Sequence, residues 1–227
     1  MRRKPIVVAM FLVAALAAAI APPHVRAQQI VDRIVVRIED DILTQSDLDQ
    51  LAAYQKLVSG SADSADRLTQ ESIEQWIVNS EADAAHFPAA PETEVAAGVA
   101  EIENKFPSPD AYRARLAELG LSADDVRQVV ARQTYLERYL DSKFRDSVQI
   151  DPKDIEKYYN EQLVPALQKQ GQAAPPLGDV RDHIRELLTE QEINRLADQW
   201  LDESKGRLRI EIVPPPDAAA GRSGAPR

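Results

Sequence analysis

The chain has 227 residues, a formal net charge of −10 and no cysteine. That acidic balance argues against nucleic acid as a partner, and the lack of cysteine excludes disulfides and a lipidated N-terminal cysteine. Only eight glycines and a low aromatic content, beside abundant Ala, Leu, Glu, Gln and Arg, favour helices held by packing alone.

Arg2, Arg3 and Lys4 precede an uncharged apolar run from Ile6 to Ile20, and Val25-Arg26-Ala27 supplies small residues before Gln28. This is the pattern of a secretory signal peptide cleaved between Ala27 and Gln28. The run is too short and alanine-rich for a membrane span, which needs roughly 20 strongly apolar residues, so no stable membrane insertion is expected. Cleavage removes four basic residues and no acid, moving the net charge from −10 to −14. About 200 residues then remain, enough for one or two domains.

Val31 to Ile38 is rich in Val and Ile and alternates imperfectly, which predicts a strand, with Glu39-Asp40-Asp41 as a turn into Ile42-Leu43. Ser46, with Asp49 three residues on, then reads as the cap of a helix whose apolar face is Leu48, Leu51, Ala52 and Val58. After a loop at 59–66, a second helix is expected from about Thr69, with Ile73, Trp76 and Ile77 in one stripe and a stop at Phe87-Pro88. A third, Pro91 to Lys105, carries Val95, Val99 and Ile102. A fourth, capped by Ser108-Pro109 and ended by Gly120, turns Tyr112, Leu116 and Leu119 inward.

Ser122 and Asp125 form a capping box that opens the next helix, expected to run to about Ser147. Val126, Val130, Leu136, Leu140 and Phe144 share one side of it, and Tyr135 and Tyr139 sit together on the other. Asp151-Pro152 caps a further helix to about Pro165. Residues 169–178, KQGQAAPPLG, read as a linker. A long helix from Asp179 follows, whose apolar stripe changes face around Glu190-Gln191-Glu192. Lys205-Gly206 ends it, and Leu208 to Ile212 alternates as a second strand. A strand near each end of a helical chain needs a partner for its backbone groups, so the two are expected to pair. The tail, residues 214–227, has no apolar period and is expected to be disordered.

No nucleophile and base pair, phosphate loop or zinc spacing stands out, so no catalytic residue, cofactor or metal site is expected. His183 with Glu186 lacks further ligands. His86 reads as a helix-end residue, and Glu39, Asp40, Asp41, Asp47 and Asp49 lack calcium-loop spacing. Tyr135 and Tyr139 are the candidate peptide-binding residues, because tyrosine offers a large apolar contact with a polar tip. Packing onto the C-terminal helix is the alternative for that face.

The opening IVDRIVVRIEDDILTQSDLDQL, the VQIDPKDIEKYYNEQ that follows a long helix, and the closing LGDVRDHIRELLTEQEINRLADQWLDESKGRLRIEI together resemble SurA-type periplasmic chaperones and their peptidyl-prolyl isomerase relatives. The resemblance spans nearly all of residues 30–213. It implies a mainly α chaperone module at 28–168, a C-terminal helix and strand at 179–213 folded back on it, and a small antiparallel sheet joining the two ends. In many members a parvulin domain of about 100 residues lies between these parts, whereas only Gln162 to Gly178 fills the interval here. Its site uses a histidine pair, and the mature chain has only His86 and His183, both outside that interval. The resemblance therefore implies a periplasmic holdase for unfolded or outer-membrane polypeptides, without isomerase activity. A different class, an assembly subunit that binds one folded partner, with a helix-exchanged homodimer as one form of it, is the alternative. The chain departs from the family in lacking a glycine at Glu39-Asp40-Asp41 and in carrying Asn79, Ser80, Glu81 and Asp83 on the second helix.

Overall fold

Residues 32–214 are described by a computed structural model; the expected signal segment, its Ala27 and Gln28 junction and the tail from residue 215 lie outside the described residues. Helices dominate, and three short antiparallel strands form one sheet, as the mainly α expectation required. The central strand, β1 (Ile34–Ile38), pairs with β2 (Asp41–Thr44) on one edge and with β3 (Ile210–Ile212) on the other. The two ends of the described part of the chain thus meet, with Val36 opposite Ile212 and Ile38 opposite Ile210. The imperfect alternation of β1 is a bulge. The register to β2 shifts between Ile34 and Val36, so both Val35 and Val36 are buried.

The strand β2 corrects the expected turn, since Glu39 and Asp40 alone reverse the chain and Asp41 already returns. Glu39 has φ +50, a conformation that favours glycine. Its side chain explains why glutamate is tolerated: the carboxylate accepts from the Arg209 N–H at 2.6 Å, and the Arg209 guanidinium donates to the Glu39 carbonyl at 3.1 Å. The turn is clasped by the strand that arrives about 170 residues later. Because β2 runs to Thr44, the cap of α1 (Gln45–Ser59) is Thr44 with Asp47, not Ser46 with Asp49.

The second helix, α2 (Ala65–Ala84), begins ahead of Thr69 because Ser64 accepts the Arg67 N–H. Next come α3 (Glu92–Glu103) and α4 (Pro109–Leu119). The α4 signals act as expected: the Ser108 hydroxyl accepts the Ala111 N–H at 3.2 Å, and Gly120 takes φ +69. Helix α5 (Ala123–Phe144) opens with the Ser122 and Asp125 capping box and closes in a 3₁₀ turn, Arg145–Ser147. Helix α6 (Pro152–Tyr158) does not stop at Pro165. It widens into a π-helical turn, Tyr159–Leu163, and continues as α7 (Val164–Lys169). Proline has no N–H and its ring crowds the preceding turn, and the wider turn accommodates it. After a connection at 170–176, pinned by the Tyr159 hydroxyl donating to the Pro175 carbonyl at 2.7 Å, helix α8 (Leu177–Lys205) runs back along the molecule.

The core has two parts. One gathers Val36, Ile38, Leu51, Ile73, Ile77, Leu136 and Leu201 beneath the sheet. The other gathers Tyr54, Leu57, Val95, Ile102, Tyr112, Leu116, Val126 and Val130. Helices α1 and α5 serve both. In the second part α3 lies so close to α5 that a Cβ on Gly98 would fall 2.8 Å from a Val130 methyl, and ion pairs from Arg127 to Glu92 and from Arg138 to Glu94 flank the contact. Helix α8 changes neighbours along its length, packing on α6 and also on α5 and α2, which is why its apolar stripe changes face. Its end is held by Lys205, whose ammonium lies 2.7 Å from the Glu74 carboxylate of α2. No helix among the described residues is long and apolar enough to cross a membrane.

Candidate functional site

The stop after α2 shapes a wide, open cleft. Ala85 ends the helix and His86 takes φ +53. The His86 N–H then donates to the Asp83 carbonyl at 3.0 Å and the Phe87 N–H to the Ala82 carbonyl at 2.9 Å. This is the left-handed helix ending usually built on glycine, and it folds Phe87 back against α5. Phe87 and Pro88 then line an open cleft of about 700 Å³ with residues of α5 and α8, within the roughly 300–1,000 Å³ typical of ligand sites.

Its apolar lining adds Leu140 and Ile193 to Phe87 and Pro88. Glu137, Arg138, Asp141, Arg145 and Glu190 supply charge of both signs. Arg145 spans the two helices, its Nε 2.7 Å from Asp141 and its Nη2 2.8 Å from Glu186. Hydrogen bonding from Arg145 lowers the Glu186 carboxyl, and bonding to Glu186 and Asp141 raises the guanidinium. Arg138 reaches Glu94 at 2.8 Å, while its buried Nε has no partner. Desolvation by the surrounding protein pushes the Glu137 carboxyl up, although its side chain still meets solvent.

Tyr135 and Tyr139 do not line this cleft. Their rings lie 5.8 and 5.5 Å from that of Phe87, the Tyr135 hydroxyl donates to Asp83 at 2.9 Å, and Tyr139 is only 7% exposed. With Phe87 they form an aromatic cluster, Tyr139 buried and Tyr135 half-buried, that holds Phe87 in place. The α5 to α8 contact is reinforced by Lys143, whose ammonium sits 4.8 Å from the Trp200 ring and 5.5 Å from that of Tyr139. Sequence reasoning singled out the tyrosines and missed Phe87; the available signal was an aromatic residue placed directly after a helix stop.

His86 and His183 are both exposed, the first in the turn after α2 and the second on α8. Among the described residues no group of three or more His, Asp or Glu side chains is arranged to hold a metal ion. The cleft offers apolar contact framed by fixed charges of both signs, an arrangement suited to holding a chain segment. Compared with known proteins, the chain matches no family model and no curated protein.

Proposed function

We propose that the chain is an exported, ATP-independent holdase that binds unfolded or outer-membrane polypeptides in the periplasm and has no isomerase activity. The observation that carries the reading is the open cleft between α5 and α8, where Pro88 and the half-buried Phe87 and Leu140 meet solvent beside the buried Ile193, among charges of both signs. Apolar contact of this kind tolerates many sequences, and a protein that binds the unfolded state holds it away from aggregation. A net charge of −14 after signal cleavage keeps the loaded complex soluble. The connection at 170–176 is far shorter than a catalytic domain of about 100 residues, in keeping with binding without isomerisation.

The test is light scattering after dilution of a urea-denatured outer-membrane β-barrel protein, without nucleotide. The expected result is suppressed scattering at stoichiometric amounts of the mature chain. Scattering equal to that of an inert protein control contradicts the reading.

A further inference from the structure

The sheet has two edges, and one of them is complementary to itself. Along β3 the hydrogen bonds to β1 fall on alternate residues. The Glu39 N–H donates to the Arg209 carbonyl at 3.0 Å and the Val213 N–H to the Val35 carbonyl at 2.8 Å, with Glu211 opposite Arg37 between them. In an antiparallel ladder bonded and non-bonded pairs alternate, so Arg209, Glu211 and Val213 direct their backbone groups at β1. Those of Ile210 and Ile212 point away from it, along an edge that no other strand covers among the described residues. The Ile212 side chain is also 55% exposed.

Charge alternates across the sheet in the same region. Arg37 lies 3.6 Å from Glu211, and Arg209 lies 3.9 Å from Glu39 and 3.6 Å from Asp40. Arg209 and Glu211 are two apart on one strand and so share one face, with Leu208, Ile210 and Ile212 on the other. The segment Leu208 to Ile212 therefore reads apolar, basic, apolar, acidic, apolar. Turned end for end it meets itself with opposite charges: Arg209 across from Glu211, Ile210 across from Ile210, Leu208 across from Ile212.

Neighbouring registers fail. Ile210 across from Ile212 sets Glu211 against Glu211, and Ile210 across from Leu208 sets Arg209 against Arg209; like charges directly opposite are destabilising. Ile212 across from Ile212 sets Ile210 against Pro214, which has no N–H to offer. Only the register centred on Ile210 avoids these faults. It also carries the sheet's alternation of sign onward, from Arg37 and Glu211 to Arg209 and Glu39 of the incoming chain. The other edge, β2, has no such symmetry: its one charge, Asp41, already accepts from the Trp76 indole N–H at 3.1 Å.

We infer that β3 is the docking edge for a second copy of this chain, the two copies joined about a two-fold axis through Ile210 into one continuous sheet. An arbitrary strand would match the outward backbone groups; a second copy also matches both charges. The contact is one of strands, distinct from an exchange of helices, and it stands independently of the holdase reading. Because β3 has three residues and proline follows it, the contact is smaller than the roughly 800 Å² per partner of a standard interface, and the dimer is a weak one.

Sedimentation velocity of the mature chain over a series of concentrations reads the contact. The expected result is a reversible dimer with Kd on the order of 10–100 µM. Arg209→Glu or Glu211→Arg alone sets like charges against each other in both pairs and should weaken the dimer about tenfold. An equimolar mixture of the two variants should restore it, because the acids of one chain then face the bases of the other. Since Arg209 also clasps Glu39, a second variant separates docking from folding. Ile210→Pro removes an N–H that points outward and leaves the bonds to β1 in place, so the melting curve should stay near the parent's while the dimer is lost. A parent that is monomeric up to about 300 µM, a mixture that fails to restore the dimer, or a dimer that survives Ile210→Pro overturns the inference. The last is the result that exchange of α8 between copies would give.

Discussion

The two halves of the core are built in opposite ways. The half beneath the sheet joins Val36 and Ile38 near the start of the described chain to Leu201 near its end, whereas every buried member of the other half falls between Tyr54 and Val130. The first closes only when α8 and β3 return to the N-terminal strand. The second is assembled from successive helices, of which α1, α4 and α5 open on a side-chain cap. Long-range closure and local assembly thus coexist in one chain, coupled through α1 and α5.

The strongest way to break this contrast is to remove residues 208–213. Loss of β3, with its pairing to Val36 and Ile38 and its clasp on Glu39, is expected to lower Tm by on the order of 10 °C. Hydrogen exchange should rise in β1 while amides of α3 and α4 stay protected; unchanged melting would refute the closure. The converse experiment is Gly98→Val. Its side chain has no room against Val130, and a loss of about 1–3 kcal/mol is expected, read by urea denaturation, with exchange rising first in α3 and not in β1.

Capping made the local half legible before the structure. Ser108, Pro109 and Gly120 bracket α4, and Ser122 with Asp125 opens α5, because the groups that satisfy helix ends lie within a few residues of one another. The pairing of the terminal strands was also legible, since two isolated strands need each other. The early start of α2 at Ser64 and the passage through Pro165 are local features that sequence reasoning overlooked, whereas the turn at the start of the described chain was missed because of a distant partner. β2 depends on Arg209 to hold the Glu39 turn, and that partner then moves the α1 cap to Thr44. Tyr135 and Tyr139 read from the sequence either as a peptide-gripping face or as packing on the C-terminal helix, because nothing in their own helix signals that Phe87, some 50 residues earlier, packs against them.

A smaller effect sharpens the contrast within the local half. The Tyr112 hydroxyl is buried without a partner, and burial raises its pKa. Removing an unsatisfied hydroxyl relieves its desolvation cost, so Tyr112→Phe is expected to hold or raise stability by up to about 1 kcal/mol in the same denaturation assay. A clear loss would mean that the hydroxyl does find a partner.

The smallest expected effect depends on pH. Desolvation, then the nearby Asp63, raise the Glu71 carboxyl above its ordinary 4.5. A carboxyl that binds its proton more tightly when folded costs stability once ionised. That cost is absent below the unfolded pKa and complete above the folded one. Glu71→Gln should therefore stabilise at neutral pH and lose its advantage as pH falls below about 4, as melting curves across that range would show; a constant difference would contradict the assignment.

The central claim, that unfolded polypeptide occupies the cleft between α5 and α8, is tested most directly by site-specific photo-crosslinking. The photoreactive residue p-benzoylphenylalanine is placed at Ser142, which lines the cleft, and separately at Glu101, exposed on α3. Each protein is irradiated with a denatured outer-membrane protein just diluted from urea. The account predicts a strong crosslink from position 142 and little from position 101; equal yields, or a crosslink from position 101 alone, would contradict it.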